Sequence, residues 1–334
     1  MAVSERTGVE SLATIVVTPR ERFSYATRSL ESICANTRAP FELVYVDGGT
    51  PKRISREIGR ICEERGFRVV STERYLSPNQ ARNLALPEVR TRYAVFVDND
   101  IIVTPGWLEK LVACAEETGA WVAGPLYCIG TPEHERVHMA GGLAHIEESS
   151  EGRTLVEEHR FQNQPLAACR ADLKRAPCEM VEFHTMLVRM DAFQKLGPLD
   201  EALLASREHI DFCLSVRGAG GEVYFEPDSL LTYVPPPPFH WSDVPFYLLR
   251  WSDGWAAPTY EHFNEKWKLT DDPTHLLRYW IRRHRRVAFK GVQERLTGLL
   301  GKRLGGGLAQ WLVERIEPVL IRAAARKGAR EPRS

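Results

Sequence analysis

Two acids two residues apart, in Asp98-Asn99-Asp100, follow directly on the apolar run at 93–97. Carboxylates that close on a loop reach one divalent cation, and such a cation bridges two phosphates. The same spacing also serves turns and helix caps, so the pair alone leaves both uses open. A further acid, Asp47, closes the apolar run at 41–46 and precedes the turn-forming Gly48-Gly49-Thr50. The loop Thr18-Pro19-Arg20 ends the run at 12–17, and Pro78-Asn79-Gln80-Ala81-Arg82 offers a guanidinium to a base or a diphosphate. Later in the chain, Glu208-His209-Ile210-Asp211 gathers three titratable groups, and His240 stands beside Trp241 just after a run of four prolines.

The elements that must carry these residues are legible as a pattern. Strand-like runs at 12–17, 41–46, 67–71, 93–97 and 120–123 alternate with helix-compatible stretches at 21–35, 52–65, 78–86 and 105–117. The run at 93–97 has no polar alternation, as a strand covered on both faces requires. Such alternation predicts an open α/β layer with a mostly parallel sheet. In that layer ligands bind beyond the carboxyl ends of the strands, at the point where strand order reverses. If the first strand lies between the second and the fourth, Asp47 and Asp98 flank that crevice. Thr104 is expected to cap the helix that Pro105 begins. Residues from about 125 to 177 are less regular, rich in Gly, His and Glu, and read as loops with a few short strands. A strand at 181–190, a helix at 206–217 and a strand at 222–225 follow.

Composition is globular: 334 residues, 43% hydrophobic, 26% charged, with 44 basic and 44 acidic side chains. Disorder and fibrous repeats are thereby excluded. No apolar run approaches the ~20 residues of a membrane span, and the start of the chain shows no basic-then-apolar leader. Seven scattered cysteines without a C-x-x-C pair read as thiols in a reducing cytoplasm. From residue 276 onward there are 15 Lys/Arg and 4 Asp/Glu, so a tail of +11 follows a body of −11. Leu276, Leu277, Trp280, Ile281, Val287 and Ala288 form a helical stripe, with Arg278, Arg282, Arg283, Arg285 and Arg286 off it. A chain break is expected at the glycines 305–307, then a second striped helix kinked at Pro318. Three roles stay open for this tail: capping the body, peripheral contact with the anionic inner face of a membrane, or self-association. Nucleic acid is disfavoured as a partner, because the acidic body would repel it.

Taken in order, VVTPRERF, VYVDGGT, NQARNLAL, FVDND, FHTMLVRMDAFQKLGPLDE and REHIDFCLSVRGAGGEVYFEP resemble the family 2 glycosyltransferases of GT-A fold, over about residues 12–240. The resemblance implies a Rossmann-like sheet flanked by helices, a nucleotide-diphosphate sugar donor (UDP- or GDP-linked), Mn²⁺ or Mg²⁺, and inversion at the anomeric carbon. It implies that residues 1–125 bind the nucleotide sugar and 126–270 form the acceptor half. Residues 271–334 are then a basic amphipathic helical extension. Thr18, Pro19, Arg20, Asp47, Asn79 and Arg82 fall where the family meets the nucleotide. Asp98 falls where it meets ribose or a water-linked metal, and Asp100 where it ligates the metal directly.

The family commonly carries an E-D pair at the start of the acceptor-side helix, and here His209 stands in the second place. Glu208 is the first choice of base, Asp211 an acceptor or orienting group, and His209 a competitor whose ordinary pKa suits the task. His240 is expected as the histidine ligand of the metal. His184 and Thr185 occupy acceptor-facing positions, while His134, His138 and His145 show no zinc-ligand spacing. In Tyr247-Leu248-Leu249-Arg250-Trp251 the Gln of the processive Q-x-x-R-W signature is missing, which favours addition of a single sugar. Three rival classes remain. A binding module of this fold would lose the acids, which are present. A sugar nucleotidyltransferase would want a glycine-rich first loop, and a nicotinamide-dependent dehydrogenase G-x-G-x-x-G, where this chain has Thr-Pro-Arg-Glu.

Overall fold

In a computed structural model, the described residues are 11–272 and 276–329; the first ten residues, the start of the tail at 273–275 and the end at 330–334 lie outside them, as do the side chains of 276, in the expected stripe, and 278, beside it. The strands are β1 (Ala13–Thr18), β2 (Phe41–Gly48), β3 (Arg68–Thr72), β4 (Tyr93–Asp98), β5 (Ile101–Val103) and β6 (Val122–Ile129). They continue with β7 (Val137–Met139), β8 (Gly142–Ser149), β9 (Gly152–His159), β10 (Ala176–Cys178), β11 (Thr185–Arg189) and β12 (Val223–Tyr233). Ten of them form one sheet with the order β10-β12-β6-β11-β4-β1-β2-β3, β5 and β7 being attached beside β12 and β6.

β1 and β4 are fully buried strands of β-branched and aromatic residues, which need helices on both faces. β1 lies between β4 and β2, parallel to both, with Thr18 opposite Asp98 and Val17 opposite Tyr45. The switch point anticipated from the sequence is therefore present: the strand ends bearing Asp98 and Asp47 flank that of β1. β11 enters between β4 and β6 running antiparallel to both, so the sheet is mixed beyond β4.

Several local expectations need correction. The strand expected at 181–190 begins only at Thr185, and residues 181–184 form a turn whose carbonyls receive other groups. The segment at about 125–177 is more regular than its composition suggests. β6 runs on to Ile129, and β8 and β9 pair as an eight-residue hairpin. Thr104 does not cap the next helix, because its hydroxyl donates to the Leu230 carbonyl at 2.7 Å. Gly106, at φ 79°, precedes the helix Trp107–Thr118 instead. In the tail, the glycines 305–307 do not break the helix. The non-helical residue is Gly301 at φ 77°. A Cβ on Gly305 would lie 2.2 Å from the Leu296 carbonyl oxygen, so glycine there permits the close approach of the two helical arms.

Candidate active site

The helix Pro78–Ala85 begins with a reciprocal cap. Ser77 Oγ accepts from Gln80 N, and Gln80 Oε1 accepts from Ser77 N at 3.0 Å. That start fixes the helix against the sheet and sends Arg82 inward, where it is fully buried with its guanidinium 4.0 Å over the Phe183 ring. Arg82 Nη2 reaches Asp98 Oδ1 at 3.4 Å, and Nη1 donates to Asn79 Oδ1 at 3.2 Å. Asn79 in turn donates to the Asp200 carbonyl at 2.8 Å. Arg20, from the loop after β1, lies 3.5 Å from Asp98 Oδ2 and donates to Glu208 Oε1 at 3.0 Å.

The helix Glu208–Gly218 starts after Arg207, whose backbone is left-handed at φ 68°, a strained state for a side-chain-bearing residue. Glu208 then faces three guanidinium groups: Arg20 at 3.0 Å, Arg250 at 3.7 Å and Arg82 at 4.0 Å. Burial opposes its charge, yet Arg20, Arg250 and Arg82 outweigh it and hold the pKa at about 2. Burial pulls the Arg82 pKa down to about 10, against the pull of Asp98 and Glu208. Asp98 is likewise held below the usual carboxylate range, burial being overcome by Arg20, His184 and Arg82.

His209 behaves differently. Burial lowers its pKa against the pull of Glu182, Glu208 and Glu157, and its Nε2 is a buried atom with no hydrogen-bond partner. Glu208 and His209 both line a cleft of about 830 Å³. Asp211 does not. Its carboxylate accepts from Trp267 Nε1 at 2.9 Å and Lys266 Nζ at 2.8 Å, on the side of the helix Asp253–Trp267.

The other expected residues are placed as follows. Asp47 closes a local turn, accepting from Thr50 N at 3.2 Å and Ser55 Oγ at 2.5 Å. Thr18 is buried at the end of β1, its hydroxyl without a partner. Pro19 packs toward Gly48, where a Cβ would come within 3.1 Å of its ring. His240 is exposed and bonded through Nδ1 to Ser242 Oγ at 2.7 Å, and it does not line the cleft.

Sequence reasoning overlooked Glu21. Its Oε1 accepts from Arg250 Nε at 3.2 Å and Trp251 Nε1 at 3.1 Å, and its Oε2 from the Tyr233 hydroxyl at 2.7 Å. The signal was the acidic residue beside Arg20 directly after a buried strand. Arg250 and Trp251, singled out from the R-W pair, thus brace the cleft wall. The tail covers this wall: His284 stacks on Trp251 at 4.0 Å, and Ala324 is buried with Phe23, Tyr75, Phe246 and Leu249. Among the described residues no helix is long and apolar enough to cross a membrane.

The profile described as Glycosyl transferase family 2 matches residues 14–196. The chain belongs to glycosyl transferase family 2. That span runs from β1 through β11 and contains Arg20, Arg82, Asp98 and Asp100 of this family 2 chain. A curated relative, "Uncharacterized protein y4gI" of Sinorhizobium fredii, is 28% identical over 218 residues. The match takes in 63% of this chain and 23% of that relative's length. Among solved structures, GalNAc-T7 with UDP, GalNAc and Mn²⁺ has a TM-score of 0.54 at 16% identity, covering 88% of this chain and 58% of that one. The mannosyltransferase PcManGT of Pyrobaculum calidifontis, in complex with GDP-Man and Mn²⁺, has 0.52 at 13% identity, covering 98% and 89%. Both likenesses establish the GT-A fold of this family 2 member.

The divalent cation that this fold family implies can be tested against the donor set. Asp98 is committed to Arg20, Arg82 and His184, whose Nδ1 lies 2.9 Å from its Oδ2. Asp100 is not committed: fully buried, it has no hydrogen-bond partner on either carboxylate oxygen. Burial, then Asp98 and Glu21, push its pKa well above the usual range. A buried carboxyl group with both oxygens unpaired is costly unless a cation completes it. Asp100 therefore fits the role of a metal ligand.

Proposed function

We propose that this family 2 chain moves one sugar from a nucleotide-diphosphate sugar, UDP- or GDP-linked, to an acceptor hydroxyl. The observation that carries this reading is the unpaired buried carboxylate of Asp100 beside Asp98, at the sheet end where two arginines also converge. The similar structures solved with UDP or GDP-Man support that donor class. Asp100, with Asp98 behind it, would hold Mn²⁺ or Mg²⁺, which offsets the negative charge building on the departing diphosphate.

The chain's own residues do the rest. Arg20 and Arg82 present positive charge beside Asp98, and Asp47 stiffens the loop against which Pro19 packs. His209 is the group proposed to take the acceptor's proton, because it lines the cleft and its Nε2 has no hydrogen-bond partner. The acceptor oxygen then bonds to the anomeric carbon, the bond from that carbon to the diphosphate breaks, and the bonding pair leaves with the phosphate. Attack opposite the leaving group gives inversion. Glu208, neutralised by three arginines, is too weak a base for this step and serves as their anchor. Asp211 holds the helix through Lys266 and Trp267, and His240 lies outside the proposed ligand set. Addition of a single sugar fits the wall, where Tyr247 donates to the His284 carbonyl at 3.1 Å and Trp251 is spent on Glu21. Seven unpaired cysteines suit a reducing compartment such as the cytoplasm.

The test is a thermal-shift screen of nucleotide sugars with and without Mn²⁺, followed by product analysis with the donor that stabilises most. Cation-dependent stabilisation by one nucleotide class is expected. Indifference of the full chain to every nucleotide would overturn the reading.

A further inference from the structure

On the acceptor side of the cleft, three side chains from three separate elements converge. His138 sits in β7, His159 ends β9, and Glu182 lies in the turn before β11. One nitrogen from each imidazole and one carboxylate oxygen all lie within 4.8 Å of one another. His138 Nε2 is 2.8 Å from Glu182 Oε2, and His159 Nε2 is 4.0 Å from Glu182 Oε1. The imidazole planes of His138 and His159 meet at 86°, with ring centroids 5.3 Å apart.

The closest pair, His138 Nε2 and Glu182 Oε2, is an ion-pair contact at 2.8 Å between two buried atoms. Imidazole and carboxylate atoms this close can share either a proton or a cation. We propose that His138, His159 and Glu182 form a second cation site, separate from Asp100, for a borderline ion of the Zn²⁺ class.

Two imidazoles and one carboxylate are a ligand set for such an ion, and three protein ligands leave coordination positions open. All three residues line the cleft, so an open position faces the volume where the acceptor must lie. The ligand it would take there is an oxygen of the acceptor.

The surroundings are built to hold the set. Tyr127 is buried, accepts from Glu182 N at 3.1 Å and donates to Glu182 O at 2.8 Å, so the backbone under the carboxylate is fixed. His184 Nε2 lies 3.7 Å from Glu182 Oε2, while its Nδ1 meets Asp98. Outer groups of this kind orient metal ligands. The His184 bridge also ties the new site to the acid pair across the cleft. No ligand spacing is visible in the sequence because each ligand comes from a different strand or turn.

The role in binding the acceptor rests on the transferase reading, but the site itself does not, and metal content tests it alone. The full chain with Asp100→Ala, which removes the proposed phosphate-side ligand, would be dialysed against Zn²⁺ and its metal measured by mass spectrometry. One equivalent is expected. His138→Ala or His159→Ala in the same background should lower it at least tenfold, and Glu182→Gln should weaken binding to a similar degree, with folding checked by circular dichroism. Titration of the Asp100→Ala parent with Co²⁺ gives a reading that needs no further variant, since nitrogen-ligated, low-coordinate Co²⁺ develops strong visible bands. A parent that holds no Zn²⁺ and gives only the spectrum of hydrated Co²⁺ overturns the proposal, as do folded histidine variants that keep the full equivalent.

Discussion

Arg20 Nη1 lies 3.0 Å from Glu208 Oε1, joining the loop after the central strand to the first residue of the helix Glu208–Gly218. The two residues are 188 positions apart in the chain. Through this contact the N-terminal and C-terminal parts of the sheet layer share one charge network, with Arg82 and Arg250 as its other cations. Glu208 is thereby a structural centre, which is why His209 is the base in the proposed mechanism.

Glu208→Gln and His209→Gln should therefore fail in different ways. The first removes the negative charge facing three arginines and is expected to cost about 3 kcal/mol of stability, since a buried pair broken on one side leaves uncompensated charge. The second should leave the melting temperature and nucleotide affinity near wild type while transfer falls by about 10² to 10⁴. Denaturation curves and single-turnover rates separate the two. A fully active His209→Gln would remove histidine from the base role.

The Glu208 pKa of about 2 makes a linked prediction about pH. A carboxylate whose pKa is depressed on folding contributes stability that is complete above its unfolded value. That contribution is lost as pH falls toward the folded one. The stability gap between wild type and Glu208→Gln should hold steady from pH 7 to about 5, then close between about 4.5 and 2. Urea denaturation of both proteins across that range measures it. A gap that persists unchanged at pH 3 would mean the carboxylate is not what the arginines depend on.

Part of this site is legible in the order of amino acids alone. The run at 93–97 is apolar without alternation, so its end has to lie at the sheet's edge, and Asp98 and Asp100 follow it directly. Asp47 is located by the same logic. What the sequence hides are partners brought together from afar. Glu21 and Arg250 are 229 residues apart, and nothing local in either motif says that they pair. The hairpin of β8 and β9 is half-exposed with charges on both faces, so it lacks the period of two that marks a one-sided strand, and the position of His159 is hidden with it. In the tail, three consecutive glycines suggest a break, yet the turn falls on Gly301, which takes a backbone state that favours glycine.

Asp100→Asn tests the cation site proposed for the donor. The carboxylate has no partner to lose, so the protein should fold with a melting temperature no lower than wild type. Mn²⁺-dependent nucleotide binding should weaken by about a hundredfold or more, as expected when a metal that offsets phosphate charge is lost. Isothermal titration with and without Mn²⁺ reads both limbs. Nucleotide affinity that is unchanged, and still cation-dependent, would shift the ligand role away from Asp100.

The tail offers the last test. Ala324 is 2% exposed among Phe23, Tyr75, Phe246 and Leu249, and Lys327 sits 4.1 Å over the Tyr75 ring with its ammonium donating to the Gly49 carbonyl. Farther up the same helix Leu299, Leu304 and Val319 are exposed, so this helix is held at its C-terminal end and by Arg285, which reaches Glu317 at 3.1 Å. An aspartate at position 324 would bury an unpaired charge in the aromatic cluster, a cost of several kcal/mol that undocking the tail relieves. Ala324→Asp should therefore leave the sheet folded while trypsin cuts the tail at Arg315, Arg322 and Arg326 much faster than in wild type. The Gly49 loop beside Asp47 would lose its cover at the same time, so nucleotide association should quicken. Equal cleavage rates in the two proteins would show that the tail is held by other contacts.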